Sequence, residues 1–372
     1  MHGHVNSDKL GQTNFKKFNG NRGNDRYIVR EEIMKRLAFA AAAVLLVAGT
    51  VSAQAETTKF KLALSTGPNH VRNIMLEDFI AKLKDRTKGQ LEVEVFPANQ
   101  LFKGPDIPKA LAQGTLEMGV PGLWQMGRFD SNALVPDLPM FYGATRDEIH
   151  AVWDGPAGDA LRKRLEDKMK VKIIGGFLDL GYGTIFTTKK PIQKHADLDG
   201  LKLRTPPGAA YLARYKTFGT NPVSIPFGDV PLALTQGTVD GLMTTHESLR
   251  SAKLWDSGVK YSFDDQQGFL QYVPMVSGVV WNKLDGDVQK IIIDTWAESV
   301  GPARKFAEAR QNQAKEEAGK NGVKNVQAGP ADLAAMRDKL MAAQPDVVKD
   351  LKMDPAFVES VQKALADVRK GS

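Results

Sequence analysis

Few residues of this chain have the types and spacing needed to carry out a reaction. Beyond residue 55 the histidines are His70, His150, His195 and His246, far apart and without the spacing of a metal site. There is no cysteine, which excludes thiol nucleophiles, thiolate metal ligands and disulfides. Neither a Gly-rich phosphate loop nor a Gly-x-Ser-x-Gly turn is present. Asp264 and Asp265 are adjacent acids that could share acid–base work, but in so polar a stretch they read as a solvated loop. No enzyme activity, cofactor or metal is expected.

What remains are groups suited to holding a molecule. Arg204 follows an apparent strand, and a guanidinium is always charged, with a planar fork that meets a carboxylate through two parallel hydrogen bonds. Pro206 and Pro207 remove two backbone donors behind it and stiffen the segment. By residue type alone an arginine in this place is ordinarily a solvated surface group. Thr244, Thr245 and His246 could supply hydroxyl and imidazole donors. The plainer reading has Thr245 or Ser248 capping a helix that runs toward Trp255, with His246 merely packed.

These residues sit among alternating elements. Val71 to Lys84 places Met75, Leu76, Phe79, Ile80 and Leu83 on one helical face, with Gly89 as a stop. Leu91, Val93 and Val95 then alternate with Glu92 and Glu94, as in a half-buried strand ending at Pro97. A short helix is expected over 106–113, and strands over 116–120 and 170–175. The alternation predicts an α/β protein with largely parallel sheets.

An internal echo organises this pattern. Residues 106–117 read DIPKALAQGTLE and residues 229–240 read DVPLALTQGTVD, identical at seven of twelve positions. Each copy reads as a short helix, a Gln-Gly stop and the entry to a buried strand. If each of two similar lobes contributes one copy, residues 119–124 and 242–246 lie at equivalent strand ends. Ligands of open α/β sheets sit outside such ends, so the two would face each other across a cleft.

Composition narrows the setting. The chain has 372 residues and a net charge of +7, long enough for two domains. Its longest apolar run, Leu37 to Ala48, follows Lys35 and Arg36 and precedes Val51-Ser52-Ala53 and Ala53-Gln54-Ala55. That is a secretory signal pattern, placed at 34–55, with a polar extension at 1–33 that is either mis-annotated or disordered. Beyond residue 55 the charge falls to +3 without a basic cluster, which gives no support to a nucleic-acid partner. Periplasmic residence is expected.

Three segments carry a family resemblance: KGQLEVEVFPANQL at 88–101, DLDGLKLRTPP at 197–207 and TNPVSIPFGDVPLALTQGTVDGL at 220–242. From about Phe60 to beyond Ala318 the chain resembles the solute-binding proteins of TRAP transporters, the tripartite ATP-independent periplasmic systems, of the dicarboxylate- and sialic-acid-binding kind. The resemblance implies a periplasmic binding protein-like α/β fold, with two α/β lobes joined by hinge strands and a long bracing helix. The lobes are expected over 56–181 plus 270–309 and over 182–269 plus 310–372. The bracing helix falls between Asp285 and Lys320, with Ile292, Trp296, Val300 and Phe306 on one side and a kink or break at Gly301-Pro302.

The resemblance also implies a ligand site. Arg204 matches the arginine that holds the ligand's carboxylate, Phe227 matches an aromatic pocket residue, and Trp124 lies where the family lines its cleft. Tyr182, near the crossover, Thr244 and His246 complete the expected ligand-binding set. Three departures stand out. A second arginine of sugar-acid-binding members is replaced by Ile185, an acidic-amide pair by Met243 and Thr244, and a glutamate by Gly122. With a charge and several hydrogen-bonding groups lost and apolar ones gained, this pocket suits a monocarboxylate with an apolar or aromatic body, or a small 2-oxo or 2-hydroxy acid. The implied partners are that organic acid anion and the small and large membrane subunits of an ion-gradient-driven transporter. The alternatives are a binding protein of an ATP-driven importer and a periplasmic sensor domain.

Overall fold

The computed structural model describes residues 57–371. The extension expected at 1–33 and the signal pattern at 34–55 lie outside the described residues.

The chain opens as its periodicity predicts. Strand β1 (Thr58–Ala63) leads into helix α1 (Val71–Arg86), which buries Met75, Leu76, Phe79 and Leu83. Strand β2 (Leu91–Phe96) then pairs in parallel with β1. Helix α2 (Ile107–Gln113), strand β3 (Met118–Gly119), helices α3 (Arg146–Trp153) and α4 (Pro156–Met169) and strand β4 (Val171–Ile173) follow. Both β3 and β4 are shorter than expected, β3 ending just before Pro121, which has no N–H to continue a ladder. Strand β5 (Leu178–Tyr182) runs straight on into β6 (Thr184–Thr187).

The middle of the chain holds β7 (Lys202–Thr205), α5 (Ala209–Thr217), β8 (Asn221–Ser224), α6 (Val230–Thr235), β9 (Gly241–Thr244), α7 (His246–Ser251) and β10 (Tyr261–Asp264). Strand β11 (Phe269–Tyr272) returns to β12 (Met275–Ser277), followed by α8 (Gly278–Trp281), α9 (Gly286–Lys320), β13 (Lys324–Gln327), α10 (Pro330–Asp350) and α11 (Pro355–Gly371).

Two sheet-containing lobes result. The first sheet has the order β2-β1-β3-β12-β4 and the second β13-β10-β6-β9-β7-β8, with an antiparallel β5–β11 ladder as a third. The sheets are mixed rather than largely parallel, for a topological reason. β12 reaches the first sheet by way of β11 and runs antiparallel to β3 and β4. β6 reaches the second by way of β5 and runs antiparallel to β9 and β10. Each crossing strand enters its new sheet against the direction of its neighbours there.

The echo of the sequence is an echo of structure, one copy per sheet. Each copy begins with a 3-10 turn, at Gly104–Asp106 and Phe227–Asp229, and each helix ends at a glycine with positive φ, +74° at Gly114 and +65° at Gly237. After each stop a threonine N–H bonds back into the helix, Thr115 to Ala110 O at 3.0 Å and Thr238 to Ala233 O at 2.9 Å. The terminal acids match as well. Glu117 accepts from Lys61 N and Asp240 from Lys202 N, each on the neighbouring strand of its own sheet.

Helix α9 braces both lobes. Trp296 packs edge-on against Phe79 at 5.0 Å and donates to Gly176 O, a ring contact worth about 0.5–1.5 kcal/mol beyond burial. Arg304 donates to Phe177 O and both oxygens of Asp154, while Gln311 reaches Leu180 O and Lys315 reaches Asp264. The expected break at Gly301-Pro302 is absent, and the helix is continuous through Pro302. Phe306 is not on the buried face and is 38% exposed. The buried row advances in four-residue steps from Ile292 and Trp296, so it drifts around the helix to Ala307 and Ala314. Helix α11, expected in the second lobe, buries Phe357, Val361 and Leu365 in one cluster with Trp153, Leu161 and Leu165 of the first.

Asp264 and Asp265 are not a solvated loop. Asp265 is fully buried and accepts from Gln267 and His195. His195 lies between two carboxylates, with Nε2 3.1 Å from Asp265 and Nδ1 2.6 Å from Asp332 of α10, while the Tyr142 hydroxyl is 2.8 Å from Nε2. Burial works against its charge, but the hydrogen bond and charge of Asp265 and the charge of Asp332 outweigh it, so its pKa is raised. The stabilisation from a raised histidine is complete below the unfolded value of about 6.5 and is lost as pH rises through the folded one. The thermal midpoint should therefore fall between pH 6 and pH 9, with a shallower slope in His195→Gln. Equal slopes in the two proteins would show that this pairing does not govern the pH dependence.

Candidate functional site

The strand ends marked by the echo face one narrow cleft of about 50 Å³, open at its mouth. Arg204, the last residue but one of β7, lines it at 2% exposure. Its Nε donates to Ile225 O at 2.8 Å and Nη1 to Met243 O at 2.9 Å, which fixes the guanidinium and leaves Nη2 without a protein partner. Burial pushes its pKa down to about 9, with Tyr215 and Tyr211 acting in the opposite direction. The guanidinium still carries its charge at neutral pH, in a lining that contains no Asp or Glu.

Four of the six expected residues come together here. Phe227 places its ring 5.9 Å from the Arg204 guanidinium, Trp124 lies 5.7 Å from the ring of Tyr272, and Thr244 closes the end of β9. The other two do not join them. His246 bonds Asp264 at 2.9 Å, and Tyr182 donates to Ala144 O and packs edge-on against Phe269. Both border a separate polar cavity that includes Gln311 and Lys315. Burial alone would raise the Asp264 carboxyl, but His246 and Lys315 hold it well below the usual carboxylate range. A histidine already committed to so strong a partner is not available to the cleft. Thr245 caps α7 by accepting from Ser248 N, as the plainer reading had it.

The sequence reading missed Arg72. This residue lies in the first turn of α1, lines the cleft and is 1% exposed. Its Nη1 donates to Val120 O at 2.9 Å, Nη2 donates to Thr66 Oγ1 at 2.7 Å and Ser65 Oγ at 3.2 Å, and the guanidinium stacks 4.3 Å over the ring of Tyr272. Its Nε is buried without a partner. A signal was present, since Arg72 falls on the same helical face as Met75, Leu76, Phe79 and Leu83, and a charge on a buried stripe needs a reason.

The lobes meet on both sides of the cleft. At the mouth Lys103 pairs with Asp229 at 3.8 Å, and a Cβ on Gly228 would lie 2.4 Å from Asn99 Nδ2. On the inner side Glu247 of α7 accepts from Val71 N, the first N–H of α1, at 3.1 Å, so one lobe satisfies a helix end of the other. His70 Nδ1 accepts from Arg72 N, which leaves the proton on Nε2 to donate to Ser248 Oγ. Burial, then Arg72 and Arg250, keep His70 neutral. Ser248 Oγ also accepts from Thr245, so its own proton is free for the cleft that it lines.

The departures from the resembled pattern have structural counterparts. Ile185 is fully buried in β6 and is no part of the cleft wall. A Cβ on Gly122 would lie 2.3 Å from the Trp124 ring, so the indole fills the space a side chain at 122 would need.

A cleft between two α/β lobes, joined by crossing strands and lined with buried cations, defines a two-lobed solute-binding protein. The sequence profile described as bacterial extracellular solute-binding protein, family 7, matches residues 62–349, and the chain belongs to that family. It is 27% identical over 274 residues to the 2,3-diketo-L-gulonate-binding periplasmic protein YiaO of Escherichia coli (strain K12), covering 71% of this chain and 79% of that one. It is 28% identical over 278 residues to the C4-dicarboxylate-binding periplasmic protein DctP of Rhodobacter capsulatus, covering 74% and 82%. The fold matches a TRAP periplasmic solute-binding protein from Desulfovibrio salexigens with bound orotic acid, at a TM-score of 0.78 and 24% identity over 83% of this chain and 99% of that one. No helix among the described residues is long and apolar enough to cross a membrane.

Gly122→Ala should force the Trp124 indole out of its place and weaken ligand binding while the lobes stay folded. Calorimetric titration checks this against Trp124→Ala, in whose background Gly122→Ala should cost nothing further. An unchanged affinity in the single variant would remove Trp124 from the binding surface.

Proposed function

We propose that this chain is the periplasmic solute-binding subunit of a TRAP transporter, and that it captures a small organic acid by closing its lobes over the acid's carboxylate. The observation that carries this reading is Arg204, a charged group buried in the cleft, fixed by two backbone carbonyls and unmatched by any acidic side chain in the lining. A closed site excludes water, so the ligand must bring the counter-charge. The relatives named for 2,3-diketo-L-gulonate and C4-dicarboxylates are both binders of organic acids, which supports this class of ligand. The closed lobes would then be read by the small and large membrane subunits for ion-gradient-driven uptake. The narrower expectation of a monocarboxylate rested on the charge and hydrogen-bonding groups lost at Ile185, Met243, Thr244 and Gly122, and Arg72 adds a cation to the lining.

A thermal-shift screen of organic acids identifies ligands, because binding to the folded state alone stabilises it. Arg204→Ala should then lower affinity by roughly 30-fold to several-thousand-fold, the effect of breaking a desolvated charge pair. Arg204→Lys, which keeps charge but loses the fork, should also bind poorly. Calorimetric affinity within about twofold of wild type for Arg204→Ala would contradict this site.

A further inference from the structure

We propose that the cleft has a second, apolar compartment beyond Trp124, and that the ligand is an organic acid whose alkyl or aryl body lies there while its carboxylate meets Arg204. This rests on the reading that Arg204 takes a carboxylate.

The space around Arg204 is narrow, about 50 Å³, whereas a cavity next to it holds about 350 Å³ and is partly open to solvent. Pro105, Trp124, Gln125 and Pro207 line both, so they form the partition between the two spaces. That partition is shared between the lobes. Trp124 and Gln125 belong to a 3-10 turn that follows β3, and Pro207 follows β7 of the other sheet. A Cβ on Gly208 would lie 3.4 Å from Trp124 O and 3.6 Å from Trp124 Cβ, so the lobes are in direct contact here. Parting the lobes therefore opens the partition, and an acid laid across it before closure would occupy both sides.

The walls decide what the outer compartment takes. Leu134, Ala209 and Leu351 line it together with the two prolines of the partition. Its polar edge is largely committed, with Gln125 Oε1 accepting from Gly122 N and Ser131 Oγ donating to Lys352 O. Among the described residues that line it only Arg128 is charged, and that side chain is exposed and lies 5.3 Å over the Phe129 ring. A polyhydroxylated body would give up water here and find few partners in return. An alkyl or aryl body gives up only its contact with water, which is favourable. The narrow inner space then selects for the carboxylate, and the outer one for the size and apolarity of what it is attached to.

The test titrates wild type, Ala209→Phe, Ala209→Leu and Arg204→Gln calorimetrically at fixed pH and ionic strength. The probes are acetate, butanoate, hexanoate and octanoate, the 2-hydroxy acid of each length, and 1-octanol as the uncharged control. Wild type should bind more tightly by about two- to fourfold per added methylene, the upper figure corresponding to full burial of each. Ala209 is exposed at the first position of α5, so a larger side chain there fills the outer compartment and leaves the inner one untouched. Ala209→Phe should abolish the dependence on length and Ala209→Leu reduce it, with the shortest acid that binds held within about twofold of wild type. Arg204→Gln should weaken every acid alike. Affinity independent of length, or Ala209→Phe weakening all lengths alike, would overturn the apolar compartment and leave Arg204's role standing. Octanol binding as tightly as octanoate would reduce the cavity to an apolar surface with no link to the carboxylate, and so overturn the proposal. A length dependence kept at full affinity in Arg204→Gln would instead remove the carboxylate site. If no acid of either series binds, the proposal falls, and the wider screen of organic acids decides Arg204's role separately. Should Ala209→Phe not fold, Ala209→Leu and the wild-type series decide.

Discussion

Burying a guanidinium with no acidic side chain to meet it is the constraint on which the rest of this structure depends. Such a group is costly wherever water is excluded, and here two of them line one cleft. Backbone carbonyls hold each in place, Ile225 and Met243 for Arg204 and Val120 for Arg72. Carbonyl dipoles fix direction without cancelling charge, so the cleft keeps its demand for an anion. A carboxylate side chain nearby would satisfy that demand internally and make ligand unnecessary. Asp264, outside the cleft wall, is paired with His246 and Lys315, and the absence of any acid from the cleft lining sets the site apart.

The scaffold follows from the need to present such cations at an opening that can close. Duplicated helix–stop–strand units end both sheets at the cleft, and each unit is fixed by a glycine in the left-handed region followed by a threonine that bonds back into the helix. Strands that cross between lobes carry the connection without a floppy linker, and α9 lies along both lobes, binding Gly176 and Phe177 near one end and Asp264 near the other. Polar contacts also cross between the lobes, such as Lys103 with Asp229 and Glu247 with Val71 N.

Much of this was legible in the sequence. The repeat could be read from seven identities, since a helix stop and a strand entry need particular residues whatever surrounds them. Arg204 became visible through its family segment and not through its type. Arg72 was overlooked because α1 read as an ordinary amphipathic helix, and only the three-dimensional placement of Val120 and Tyr272 gives its charge a purpose. The directions of β6 and β12 could not be read, because periodicity carries no information about which sheet a strand enters. Asp264 and Asp265 looked solvated because their partners, among them His195, His246 and Lys315, are distant in sequence. Phe306 was misplaced by following a fixed face across a helix whose buried row drifts.

The measurement that bears most directly on the central claim is a crystal structure of the protein with an organic acid selected by binding. The account expects the acid between the lobes, with a carboxylate on Arg204 Nη2. An acid bound elsewhere, or lying in the cleft with its carboxylate turned away from Arg204, would contradict it.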